Sequence, residues 1–168
     1  MSKPKNFDEA KGNAEKFLGS VIDVAEKLSK TKPYTTQDIE FMPAGEMRRE
    51  AVTVYMRAWY SEDFFMFCSY PNNSWSEPHI ISFRTYSPDS VFAGGIKVGS
   101  SFNEISSLFG DFGAWDRYGD AFHVNNDYVN NEEHMEANIH VTNGKIDYIE
   151  YNNIFDYTTH KMENLLDL

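Results

Sequence analysis

Between Phe7 and Leu28 the apolar residues recur at spacings of three and four. Phe7, Ala10, Ala14, Phe17, Leu18, Val21, Val24, Ala25 and Leu28 lie on one stripe. That spacing predicts an amphipathic helix over residues 7–29. Asn6 and Asp8 sit where a helix starts, and Lys30, Lys32 and Pro33 mark its end. Residues 38–60 read less simply. Pro43-Ala44-Gly45 is a turn signal. Met47, Ala51, Val54, Tyr55 and Ala58 fit a helical face, whereas Val52, Val54, Met56 and Ala58 fit one face of a strand. The β-branched and aromatic content from Val52 to Tyr60 favours the strand. Ser61-Glu62-Asp63 then turns the chain into a second strand, Phe64 to Tyr70. A loop from Pro71 to Pro78 leads to a third, His79 to Tyr86. Three such neighbours predict an antiparallel meander.

Ser87-Pro88-Asp89 and Gly94-Gly95 break the pattern, and the most ordered stretch of text follows. Ile96 to Val98 is a short apolar edge. Ser101 followed by Glu104 is a capping box, in which each side chain satisfies an orphan amide at a helix start. Phe102, Ile105, Leu108 and Phe109 form the stripe of that helix, and Gly110 is placed to end it in the left-handed region. Three strands are predicted after it: Ala121 to Asn125, Met135 to Val141 and Lys145 to Tyr151. Asn143-Gly144 joins the last two as a tight hairpin. A short helix is predicted in the tail, 156–168, with Met162, Leu165 and Leu166 inward. The whole is one α+β domain over 1–168. An antiparallel sheet carries an N-terminal helix region (1–33) and a unit of capped helix plus strands (94–153), with the helices on one face.

A chain of 168 residues with 41% hydrophobic and 15% aromatic content is long enough and apolar enough to bury its own core. Cys68 is the single cysteine and lies in the apolar run Phe64 to Cys68, which predicts a buried, inert thiol and excludes a thiolate zinc site. No apolar run approaches the ~18 residues of a membrane span, and the first residues, MSKPKNFDEAKGNAEKF, lack a signal-peptide core. A cytoplasmic location is expected. The alternative, secreted or periplasmic, holds if a signal peptide has been removed.

Net charge is −11, unevenly spread. Residues 1–60 carry 10 Lys/Arg and 9 Asp/Glu, a balance of +1; residues 61–168 carry 5 and 17, a balance of −12. Such a field repels nucleic acid and anionic lipid and attracts a basic protein.

Gly95-Ile96-Lys97-Val98-Gly99-Ser100-Ser101-Phe102-Asn103-Glu104-Ile105, closed by Leu108-Phe109-Gly110, resembles the helix opening of small bacterial envelope proteins of the β-lactamase-inhibitor-protein-like and small outer-membrane-lipoprotein group. Asn143-Gly144-Lys145-Ile146-Asp147-Tyr148-Ile149 is similar to that group's terminal hairpin. The resemblance covers residues 94–153 and implies a non-enzymatic role in binding proteins, often through the exposed face of the sheet. It brings no catalytic residues. The chain departs from the group in lacking a lipid-attachment cysteine near its start and a signal peptide. Its N-terminal half does not repeat the second half's motif, which argues against a tandem-repeat inhibitor.

Three constellations carry candidate chemistry. His134, Glu136, Asn138 and His140 alternate with Met135, Ala137, Ile139 and Val141, so they share one face of a strand, with His123 and Glu150 or Asp147 near them on neighbouring strands. His134 and His140 are six residues apart, roughly 20 Å along a strand, too far to share a metal; no metal and no cofactor are expected. Aromatic residues in polar loops are candidate anchors for a partner: Trp75, and after it Trp115 and Tyr118. The acidic loop Asn125 to Glu136 supplies Asp127, Tyr128, Glu132, Glu133 and Glu136, suited to a basic partner but lacking the ligand alternation of a calcium loop. No G-x-S-x-G, phosphate-loop or dinucleotide motif occurs. The expected function is therefore non-catalytic binding. An inhibitor or immunity protein that neutralises a basic toxin or nuclease leads, ahead of a secreted or envelope-associated domain and a carbohydrate-binding or hydrolytic domain.

Overall fold

The computed structural model describes residues 2–41, 52–70, 78–112, 115–118, 121–125 and 134–154. Helix α1 spans Phe7–Leu28. Asn6 caps it, its side-chain oxygen accepting from the Glu9 amide at 2.9 Å. Strands β1 (Thr35–Phe41), β2 (Val52–Tyr60), β3 (Phe64–Tyr70) and β4 (His79–Thr85) follow as an antiparallel meander. Helix α2 (Phe102–Phe109) opens the second half, followed by β5 (Asp116–Tyr118), β6 (Ala121–Asn125), β7 (His134–Thr142) and β8 (Lys145–Ile154). Among the described residues eight strands form one sheet in the order β1-β2-β3-β4-β8-β7-β6-β5, antiparallel at every step.

Val52 to Tyr60 is the strand that its composition favours. The helical alternative and the Pro43 turn depend on residues 42–51, outside the described residues, as does the predicted tail helix of 156–168. Two strands had no signal in the sequence. β1 reads TTQDIEF, an edge strand with few apolar positions, and β5 is three residues long. Ile96 to Val98 is not a strand. Ile96 is buried, and Gly99 and Ser100 bond to Ile146, so the segment is zipped onto the start of β8.

The sequence shows no repeat, yet the topology has one. Each half is a helix followed by a four-stranded meander, and the two meanders join at β4 and β8. The first helix has 22 residues and the second 8. Topology repeats through strand pairing while the helical stripes differ in length, so no common motif survives in the text.

The capping box of α2 is complete: the Glu104 amide donates to Ser101 Oγ at 3.3 Å and the Ser101 amide to Glu104 Oε2 at 2.7 Å. Gly110 ends the helix at φ 65°, and Asn143 and Gly144 both take positive φ in the β7–β8 turn, as a two-residue hairpin of this kind requires.

Both helices lie on one face. α1 crosses the sheet over β4, β7 and β6 and meets α2. The buried Asn13 ties the helices together by donating to the Leu108 carbonyl at 2.8 Å. Beneath them the core is built from alternate strand positions: Trp59, Met66, Cys68, Tyr70, Ile80, Phe83, Phe122, Val124, Ala137, Ile139, Ile149 and Tyr151. Phe17 is its centre, fully buried and edge-on to Phe109 at 5.6 Å and to Phe92 at 6.0 Å. Among the described residues no helix is long and apolar enough to cross a membrane.

Cys68 is buried, and burial pushes its thiol up to about 12, with Arg57 pulling weakly the other way. The native protein should therefore resist a disulfide-exchange reagent at mildly alkaline pH and react fully once unfolded in guanidinium. Native labelling at the unfolded rate would contradict the burial. Phe17→Ala should cost about 3–5 kcal/mol in urea unfolding, whereas Val91→Ala, at a position 57% exposed, should stay within about 0.5 kcal/mol.

Candidate functional site on the open face of the sheet

A strand alternates its side chains, so the residues between the core positions form a second face. Among the described residues no element packs on that face. Register lines them up in rows. Tyr60 pairs Phe65, Phe65 pairs Arg84, Arg84 pairs Glu150, Glu150 pairs Asn138, and Asn138 pairs His123. At about 4.8 Å per strand this row runs roughly 24 Å across six strands. Beside it run Ala58, Phe67, Ser82, Asn152 and Glu136 in the same order. On its other side Tyr148 pairs His140.

The row changes chemistry along its length. Its first end is aromatic: Tyr34 meets Tyr60 edge-on at 5.4 Å, and Tyr60 meets Phe65 at 5.0 Å. Tyr34 is 72% exposed and Tyr60 59%. Its middle is a polar network. Arg84 Nε donates to Glu150 Oε2 at 2.8 Å, and Nη2 donates to the same oxygen. Arg84 Nη1 donates to the Tyr86 hydroxyl at 3.3 Å. Asn152 Nδ2 donates to Glu150 Oε1 at 3.1 Å, and Ser82 Oγ donates to Asn152 Oδ1 at 3.1 Å. The guanidinium also lies 4.8 Å from the centre of the Tyr148 ring, which stacks on His140 at 4.0 Å and 18°. At the far end His123 Nε2 is 3.4 Å from Glu136 Oε2.

Burial by itself would raise the Glu150 carboxyl. The hydrogen bonds from Arg84 and Asn152 and the charges of Arg84 and His140 outweigh it, and the group is held below its ordinary value. An acid held ionised in this way is a hydrogen-bond acceptor, not a proton donor for general-acid chemistry. Ser82 gives its proton to an amide oxygen, not to a base. Among the described residues no group of three His, Cys, Asp or Glu could hold a metal ion. The arrangement holds aromatic rings and a guanidinium in fixed orientations, side-chain types that are enriched in protein-binding hot spots.

Glu136, Asn138 and His140 share this face, with His123 and Glu150 on the flanking strands, as their alternation predicts. Trp115 does not belong to it. Its indole N–H donates to the Gly110 carbonyl at 2.6 Å and its ring packs on Phe122 at 4.6 Å, against the core. A large apolar ring beside a helix end that offers an unpaired carbonyl turns inward, whatever the polarity of its chain neighbours. Tyr118 lies on β5 opposite Ala121. Trp75, Asp127, Tyr128, Glu132 and Glu133 lie outside the described residues. At the centre of the face, Glu150 is the residue that the strand alternation named; Arg84 and Phe65, which flank it, were not singled out by the sequence. The one signal was the alternation of Ser82 and Arg84 with Phe83.

His79 begins β4 at one end of this face, and burial pulls its imidazole down to about 4. The folded value lies below the ordinary one, so the unfolded chain takes up the proton first. Stability present above about pH 6.5 should fall as the pH drops toward about 4, by at most about 1.4 kcal/mol per pH unit. The depressed Glu150 adds a further loss only below the ordinary carboxylate range. Urea midpoints measured across that window should fall, and His79→Gln should flatten the fall above pH 5 or so. An equal slope in the variant would assign the acid sensitivity elsewhere.

No family model, curated protein or solved structure matches this chain, so the open face itself carries the functional reading.

Proposed function

We propose that this protein is a non-catalytic binding protein of the inhibitor or immunity type. It neutralises a basic partner, such as a toxin or nuclease, that docks on the open face of the sheet. The observation that carries this reading is the row from Tyr60 to His123. Aromatic rings and an arginine, already fixed by neighbours, stand on a face that no described element covers, in a sheet whose other face is anchored by the core. A surface ordered before binding loses little entropy on docking, which favours affinity. The −12 balance of residues 61–168 supports a basic partner and a fast, salt-sensitive encounter. The resemblance of residues 94–153 to protein-binding envelope domains agrees with it. The lone buried thiol suits a reducing compartment, and we place the protein in the cytoplasm.

Capture from the native host, or co-expression with neighbouring gene products, should yield a basic protein whose affinity falls steeply with salt. Phe65→Ala and Tyr148→Ala should each weaken binding by about 2 kcal/mol, roughly thirtyfold. Lys16→Ala, on the exposed side of α1, should leave it unchanged. The reading fails if no basic protein binds, or if both face variants bind as the wild type does.

A further inference from the structure

Near the middle of the open face lies a hollow of about 370 Å³ lined by Phe65, Ser82, Arg84, Tyr86 and Glu150. At about 30 Å³ per water it has room for an entire side chain. Its walls are aromatic on two sides, and the bonds described leave acceptor positions on Glu150 and Ser82 beside two N–H of Arg84 and the O–H of Tyr86. Glu150 offers about four lone-pair positions on its two oxygens. Arg84 takes two on Oε2 and Asn152 one on Oε1, which leaves a position on Oε1. Ser82 gives its hydrogen to Asn152 and keeps its own lone pairs. The charged residues of its lining, Arg84 and Glu150, sum to zero, so the acidic bias comes from the −12 balance of residues 61–168.

We infer that this hollow is the anchor pocket of the face and takes a basic side chain of the partner. The aliphatic stem lies against Phe65 and Tyr86, and the charged head donates to Glu150 Oε1 and Ser82 Oγ. A long basic side chain suits both halves of such a site, since its methylenes bury apolar area while its head keeps polar partners. The ring faces add attraction for the cation. An acidic side chain would enter against the field, and an aliphatic one would leave the Glu150 position unused. Arg84 shares the carboxylate with the incoming head and so competes with it. This assignment rests on the reading of the protein as the binder of a basic partner and names how that partner is held.

The test is an NMR titration of the full chain at low salt with N-acetyl-arginine amide, set against N-acetyl-leucine amide and N-acetyl-glutamate. The arginine compound should give saturable, millimolar shifts centred on the amides of Phe65, Ser82, Arg84 and Glu150, and the other two should not. Glu150→Gln, nearly isosteric, should weaken it at least tenfold. Arg84→Met, which removes the competitor and leaves the carboxylate, should bind it severalfold more tightly; a purely structural role for the pair predicts no gain. Ser82→Met, which fills the hollow from its floor, should abolish binding and serves if Arg84→Met does not fold. Absence of saturable shifts, equal response to leucine, or indifference to Glu150→Gln overturns the assignment. A basic protein that docks equally well on the Glu150→Gln chain sinks the pocket and leaves the wider reading standing. Arginine amide that titrates the hollow when no basic protein binds does the reverse.

Discussion

The ladder between β4 and β8 is the joint of this molecule. Four residue pairs, from Ser82–Asn152 to Thr85–Ile149, hold two meanders together. Every other strand pair joins neighbours in the chain, whereas Arg84 and Glu150 are 66 residues apart. Local hairpins close cheaply; a contact of that separation must overcome a larger loop entropy before it returns anything. The sheet is continuous only because this joint is stabilised from both sides. On the helix side Phe83 pairs Tyr151 in the core, with α1 lying across the seam onto β4, β7 and β6. On the open side Arg84 holds Glu150 and Ser82 holds Asn152.

That arrangement makes the centre of the open face a structural element of the sheet as well as the proposed docking surface. Removing one member of the Arg84–Glu150 pair would leave a charge without its partner in a half-buried site, a costly state. The same constraint orients the guanidinium. Bonds to Glu150 and Tyr86 and the Tyr148 ring beneath it fix a side chain that would otherwise be mobile, so little further ordering accompanies docking. The fold and the proposed docking therefore draw on one set of contacts. The flanking aromatic rings, exposed at Tyr34 and Tyr60 and half-buried at Phe65, extend that fixed centre to the first edge of the sheet.

Electrostatics divides the two halves of the chain in the same way. The acidic excess lies after residue 60, and the carboxylates described on the face, Glu136 and Glu150, each have a basic neighbour at hand, His123 and Arg84. Close pairing keeps the face from being a uniform acidic patch, while the long-range field remains negative. In the proposed function, such a combination would steer a basic partner from a distance and leave selection to shape and to a few oriented groups at contact.

What the sequence determined by itself was everything governed by near neighbours. The stripe from Phe7 to Leu28, the Ser101–Glu104 box, the stop at Gly110 and the Asn143-Gly144 turn follow from spacing and from backbone preferences within a few residues, and all are present. The sharing of one face by Glu136, Asn138 and His140 follows from strand alternation alone. Tertiary structure decided the rest. β1, with only Ile39 and Phe41 apolar, and the three-residue β5 are completed by the hydrogen bonds that a neighbouring strand offers. Trp115 turned inward because the Gly110 carbonyl and the Phe122 ring were there to receive it. The repeated topology and the meeting of Arg84 with Glu150 depend on the register between segments about 70 residues apart. No local pattern encodes that register, because it is set by how the two apolar faces fit together under α1.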